Sequence, residues 1–430
     1  MIRVVKRGIL VFPAVLVVLL AGLEREADAI PAFARKYRTS CTTCHVAIPK
    51  RNAFGEAFRR NGYQIPAGDE RYIKEEPVSL GAEAWKEMWP DAIWPGAIPG
   101  TIPFAAYVHQ RFVFDNPNSH REFDAPHEFE LLIGSTLGRN IGFFGEWVFF
   151  EKGKQAEGLK RFYIVFSNLF EDKLGSSLSL RVGRIEPGTA DGYKDADRMT
   201  LDHIPTLDYR VVSGGFRLRD PQSGIEVAGV PHRSFEYVFG VVNGQKKTIK
   251  DPNNEKDVYF RVGLKLGGMG LDGSGADEGD ELPIADNYVD DSVMLGFYGY
   301  RGFSTLAKDN VSFENDFRRI GVDARVNFGR NYVLAGLVRG RDDNPWNDGK
   351  VDVDSTVWFV EADRVFKPWI IGLVRYERLE IDHKDDVTRI VPNLTLLLRA
   401  NIRASVEAVF QPSLDMDKFR TLKANVLFVF

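Results

Sequence analysis

The sequence predicts an all-β transmembrane barrel of about sixteen antiparallel strands, with a small α-helical segment at its N-terminus that plugs the lumen. Three observations carry this. From Thr101 onward, segments of roughly ten residues alternate in polarity and are separated by turn residues, as strands of an outer-membrane barrel do. In Arg318–Phe328, Ile320, Val322, Ala324, Val326 and Phe328 share one face, while Arg319, Asp323, Arg325 and Asn327 share the other. Composition agrees: aromatic residues are 12% and glycines number 40, a mix that favours strands. Finally, Leu422–Phe430 alternates apolar and polar residues and ends on Phe, like the terminal strand that bacterial outer-membrane proteins present for assembly.

Residues 1–29 read as a signal peptide. Arg3, Lys6 and Arg7 form a charged start, Gly8 to Leu23 is apolar, and Ala27-Asp28-Ala29 offers a small-x-small cleavage site, which is the secretory order. A retained helical anchor is the alternative, but the run is short and Pro13 interrupts it.

Residues 30–66 carry the one motif with defined chemistry, Cys41-Thr42-Thr43-Cys44-His45. C-x-x-C-H is the pattern of c-type haem attachment: two thiols add to the vinyl groups of one porphyrin, and the adjacent imidazole reaches the iron. A structural zinc site wants four ligands, and the chain has only these two cysteines. A thioredoxin-like redox pair would not need His45. Pro31 suits the start of a short helix before the motif. Asn52 to Asn61 reads as a second helix ending at Gly62, with Phe54 and Phe58 on one face to cover the haem. For the distal iron position, Met88 is the first downstream Met or His and His109 the second; an open position is the other possibility. Met88 also reads as a packing residue in a Trp-rich stretch, and His120 and His127 fall near an expected turn.

Residues 67–100 form a connector containing Trp85, Trp89 and Trp94 and the run Trp94-Pro95-Gly96-Ala97-Ile98-Pro99-Gly100. That density of aromatics predicts packing against the haem or the barrel mouth. Residues 101–430 are the barrel. Sixteen strand segments are expected within it, from Pro103–Phe114 and Glu128–Leu137 through to Ile402–Gln411 and Arg420–Phe430. Gly267–Asp291 is rich in Asp and Glu with no basic residue; as a long loop it is expected at the outer mouth, either gathering cations or simply solvated.

Charge is uneven. The chain's formal net charge is −4, yet residues 30–62 set Arg35, Lys36, Arg38, Lys50, Arg51, Arg59 and Arg60 against Glu56 alone. A basic head on an acidic body suggests docking against inward carboxylates such as Glu407 and Asp323. No hydrolase triad, phosphate loop or nucleic-acid patch stands out.

A single C-x-x-C-H after a signal peptide, followed by a barrel to a terminal Phe, resembles the fused monohaem cytochrome–porins, the outer-membrane iron oxidases and their relatives. The matching residues are Ile30-Pro31-Ala32-Phe33-Ala34-Arg35 leading to Ser40–His45, and Trp94-Pro95-Gly96 with Ile98-Pro99-Gly100. The resemblance implies one covalent haem c held by Cys41 and Cys44 with His45 as proximal ligand. It also implies an outer-membrane location, extracellular Fe(II) or another redox donor, and a periplasmic c-type cytochrome as electron partner. Porin-like solute conduction with a structural haem, with Arg319, Arg325 and Arg403 lining a constriction, is the competing function; a haem peroxidase is a third.

Overall fold

The computed structural model describes residues 32–66, 68–74, 78–79, 97–98, 100, 103–115, 120–152, 154–189, 198–244, 253–275, 282, 288–308, 311–347, 351–412 and 419–430. The signal peptide, Met88 and the three connector tryptophans lie outside these. The described residues belong to one compact unit, Pro31–Phe430.

Two short strand pairs precede the barrel: β1 (His45–Ala47) with β2 (Lys50–Arg51), and β3 (Val78–Ser79) with β4 (Ala97–Ile98). The barrel itself comprises sixteen antiparallel strands. They are β5 (Phe104–Asp115), β6 (His120–Thr136), β7 (Ile141–Glu151), β8 (Lys154–Phe166) and β9 (Ser179–Ile185). Next come β10 (Gln222–His232), β11 (Phe235–Val242), β12 (Asp257–Gly267), β13 (Ser292–Lys308) and β14 (Val311–Phe328). The circuit ends with β15 (Asn331–Asp342), β16 (Val353–Lys367), β17 (Ile370–Ile381), β18 (Val387–Arg399), β19 (Ile402–Phe410) and β20 (Phe419–Val429). Closure is between β20 and β5, where Val429 opposes Tyr107 and Asn425 opposes Arg111. All sixteen expected segments are strands, though several run longer than the alternation suggests. His120 is the first residue of β6, next to the β5–β6 connection as expected, and His127 lies further along the same strand.

Period two partitions each strand's side chains. In β12, Val258, Phe260, Val262, Leu264 and Leu266 are exposed, while Asp257, Tyr259, Arg261 and Lys265 are buried. In β14, Ile320 is 54% exposed and Arg319 only 2%. An apolar outside around a charged, buried inside is the distribution of a barrel set in hydrocarbon.

Many of the inner charges are paired with one another. Arg261 bridges Asp323 at 3.0 Å and Glu236 at 3.2 Å, joining β12 to β14 and β11. Arg319 meets Asp342 at 2.7 Å, and Arg375 meets Glu377 at 2.8 Å and Glu361 at 3.4 Å.

Two segments make contacts with the inner face of the barrel. From one end comes the N-terminal segment. Lys50 pairs with Asp363, Arg60 with Glu236 at 3.0 Å, and the Tyr63 and Tyr163 hydroxyls hydrogen-bond. Gln64 donates to the Gly138 carbonyl at 2.8 Å. From the other end the β9–β10 connection folds inward. Leu201 N donates to Glu407 at 2.7 Å, Arg375 donates to Thr200 Oγ1 at 2.6 Å, and Arg261 donates to the Thr189 carbonyl at 3.1 Å. Met199 of this connection packs in one cluster with Val46 and Ala47. The basic head therefore docks on Asp363 and Glu236. The expected partners are engaged elsewhere: Glu407 by the inward connection and Asp323 by Arg261.

Strand parity assigns each connection to an end. The start of β5, the end of β20 and the tight turns 233–234, 329–330, 368–369 and 400–401 share one end with the N-terminal segment's contacts. The connection 268–291 lies at this same end. The described ends of the acidic stretch therefore lie on the same side of the barrel as the N-terminal segment's contacts. Of it, Asp290 pairs with Lys265 at 2.8 Å and accepts from Met269 N.

Candidate functional site

The motif is held by a small, tightly hydrogen-bonded unit. Helix Ala32–Tyr37 brings the chain in, and a single 3-10 turn, Cys41–Thr43, presents the thiols. Ser40 caps this turn by accepting from Thr42 N at 3.3 Å, as N-cap residues do. Asn52 then ties the motif to the second helix, Ala53–Arg60. Its side-chain oxygen accepts from Gly55 N at 2.8 Å, its amide donates to the Thr43 carbonyl at 3.0 Å, and its backbone N donates to the Cys44 carbonyl at 3.0 Å. Gly62 has φ of 69°, the left-handed conformation expected of the residue that ends this helix.

Gly55 sets the helix against the motif. A Cβ there would lie 2.1 Å from the Cys44 carbonyl oxygen, so only glycine permits the approach. Behind it, buried Glu56 accepts from Arg51 at 2.7 Å and Arg59 at 3.1 Å, with Arg60 at 3.8 Å. Burial alone would raise this carboxyl, but the three guanidinium groups hold it well below the usual carboxylate range. Sequence reading passed over Asn52 as a tie and Gly55; Glu56 stood out only as the single acidic residue of the basic segment.

His45 begins β1 and opposes Arg51 in the β1–β2 hairpin. Its Nδ1 lies 3.1 Å from the Pro49 carbonyl. A carbonyl only accepts, so Nδ1 carries the proton and Nε2 presents a lone pair. That is the arrangement of a metal-binding histidine oriented by its backbone partner. Burial, aided by Arg51, pushes the imidazole down to about 4, so it is neutral at ordinary pH. Burial pushes the Cys41 thiol up to about 11 and Cys44 to about 12. The reactive thiolates of redox cysteines are shifted the opposite way.

Cys41, Cys44 and His45 border one cavity of about 1540 Å³ including its mouth. Phe33, Phe54 and Phe58 from the N-terminal segment and Tyr107, Leu132 and Phe144 from the barrel wall make it largely apolar. Phe54 and Phe58 share the buried helix face as their spacing predicts. A haem c needs two thiols two residues apart, a neutral imidazole beside the second, and an apolar slot. These residues fit it.

A second, more polar cavity of about 1020 Å³ adjoins the first, with Glu128, Lys160 and Arg198 bordering both. It runs past Asp202 and His203 of the inward connection to Glu151, Lys152 and Arg420, at the end away from the chain termini. Of the distal candidates, His109 is buried on the inner face of β5, with its Nδ1 3.6 Å from Glu128. Among the described residues, no group of three or more His, Cys, Asp or Glu side chains is arranged to hold a free metal ion.

The fold is that of the outer-membrane porins. An anion-selective porin from Comamonas acidovorans superposes with a TM-score of 0.53 at 13% identity, over 77% of this chain and 99% of the porin. The loop L8 deletion mutant of OmpT, an outer membrane protein of Vibrio cholerae, gives 0.50 at 13% identity over 77% and 99%. Salmonella typhi OmpF gives 0.50 at 12% over 76% and 97%. No family model and no curated protein matches the chain.

Proposed function

We propose that this chain is an outer-membrane electron-transfer protein of the cytochrome–porin kind. It carries one haem c on Cys41, Cys44 and His45 and passes electrons from extracellular Fe(II) to a periplasmic c-type cytochrome. The observation that carries the reading is the apolar cavity in which both thiols and a tautomerically fixed imidazole meet inside a barrel. Bound there, the haem supplies a one-electron centre, and outer-sphere transfer asks no general acid or base of the protein.

The chain's own residues do the rest. Asn52, Gly55 and Glu56 hold the motif rigid, Phe33, Phe54 and Phe58 exclude water, and Pro49 orients His45. In barrels of this class the short turns face the periplasm. The N-terminal segment lies at the short-turn end, which supports placing the haem within reach of a periplasmic partner. The polar cavity leads from the other end towards it, which supports access for a small donor. One haem is then enough for a hydrocarbon core of about 30 Å.

A solute channel is the second reading, favoured by the likeness to an anion-selective porin. The two segments that contact the inner face of the barrel weigh against a wide pore.

The test is to purify the haem-loaded protein in detergent and mix its oxidised form anaerobically with Fe(II), following the haem absorbance. Rapid stoichiometric reduction, lost in His45→Ala and Cys41→Ala, is expected. Reduction by dithionite but not by Fe(II) overturns the choice of donor, and absence of covalent haem overturns the reading itself.

A further inference from the structure

The inner wall beside the proposed haem cavity contains buried polar groups, two guanidinium groups among them, with polar atoms that have no hydrogen-bond partner. Register across β19, β20 and β5 sets Arg403, Leu427 and His109 in one row, and Ser405, Asn425 and Arg111 in the next. All six are inward and at most 8% exposed. Among the described residues, Arg403 Nε and Nη1, Arg111 Nε, both ring nitrogens of His109 and both side-chain polar atoms of Asn425 have no hydrogen-bond partner. Arg111 reaches only the Leu201 carbonyl, at 3.5 Å. A buried polar group without a partner loses its hydration and gains no hydrogen bond in return, the more so when it is charged, so the arrangement calls for a ligand.

The nearby carboxylates do not fill this role. Glu407 accepts from Leu201 N and Asn393 at 2.7 and 3.0 Å. Glu128 stands 3.6 Å from His109 but shares itself with Lys160 at 3.8 Å. Two guanidinium groups, an imidazole and an amide without acceptors match a carboxylate or another oxyanion, for which arginine's paired donors are suited.

Position names the source. Leu427, between Arg403 and His109, packs with Ile48 and Cys41 of the motif segment. Tyr107, edge-on to His109 at 6.3 Å, borders the haem cavity. We propose that Arg403, Arg111, His109 and Asn425 form an anion site that receives the propionate carboxylates of the haem. This rests on the haem reading above; a free oxyanion from solution is the other source of the same chemistry.

The experiment compares the purified full-length protein with Arg403→Gln, Arg111→Gln, their double variant and Arg403→Lys, each first shown to be folded by heat-modifiable gel mobility. Haem content is read by haem staining, propionate environment by resonance Raman, and the midpoint potential by redox titration. Thermal melting is followed with and without inorganic phosphate. The proposal expects unchanged haem content, a potential displaced to more negative values in the double variant, shifted propionate bands, and Arg403→Lys close to wild type. If haem is present and those readouts stay unchanged, while phosphate raises the melting temperature of wild type but not of the double variant, the propionate assignment is overturned in favour of a free anion. If phosphate also has no effect, the anion site is overturned. If the wild type carries no haem, the haem reading and the propionate source both fall, and phosphate alone decides whether the site binds anions.

Discussion

At the scale of single residues, the site depends on a few that no motif names. Gly55 is the sharpest case. Gly55→Ala places a methyl against the Cys44 carbonyl, and because both atoms are on constrained backbone, the helix must shift. The cost is about 1–3 kcal/mol or more, and haem-stained protein per folded barrel should fall. Glu56→Gln leaves Arg51, Arg59 and Arg60 without their shared carboxylate and should destabilise by about 3–5 kcal/mol; thermal melting of the purified protein checks this. Because the folded carboxyl is held below its unfolded value, Glu56 stabilises the folded state above about pH 4. That stability is lost as pH falls through the folded value, so wild type should lose more than Glu56→Gln on acidification. That Cys41, Cys44 and His45 come together at one cavity was legible in the sequence, because they lie within five consecutive residues. Gly55 was not, since what excludes a side chain there is a carbonyl eleven positions away that only folding brings close. His109 was weighed as an iron ligand from its position in the chain; its buried neighbours on β19 and β20 suit it better to an anion.

At the scale of elements, each strand presents two environments with opposite demands. On the outer face, Val322→Arg should cost about 2–4 kcal/mol near the bilayer midplane. On the inner face, Arg261→Leu leaves buried Asp323 and Glu236 without their guanidinium and should cost about 3–5 kcal/mol. Urea unfolding in lipid vesicles measures both. If either substitution leaves the unfolding midpoint unchanged, the assignment of that face is contradicted. This alternation made the strands legible: Arg319 and Ile320 are neighbours in sequence and face opposite media. Strand length was less legible, because β13 and β14 continue beyond the alternating apolar stretch as a paired extension, Ser292–Lys308 against Val311–Phe328. The inward fold of the β9–β10 connection was hidden altogether. Its anchors, Glu407 and Arg375, lie in β19 and β17, and nothing near Thr200 or Leu201 announces them.

At the scale of the molecule, a barrel with the porin fold takes the N-terminal segment and the β9–β10 connection among its inner side chains. The whole protein in a planar bilayer should therefore pass little ion current. A variant lacking residues 32–74 should conduct measurably more if it still shows the gel mobility of a folded barrel. The barrel and its strand count were open to sequence reading, but the disposition of its ends was not fully so. The acidic loop's side depends on counting every strand before it, and the loop's own composition is silent on that.

The most direct test of the proposed electron transfer is made in sealed vesicles. The protein is reconstituted with an oxidised soluble c-type cytochrome trapped inside, and Fe(II) is added outside under anaerobic conditions. The account predicts that the trapped cytochrome becomes reduced with wild-type protein and stays oxidised with His45→Ala. A trapped cytochrome that stays oxidised while the wild-type protein carries its haem and the vesicles remain sealed would contradict it.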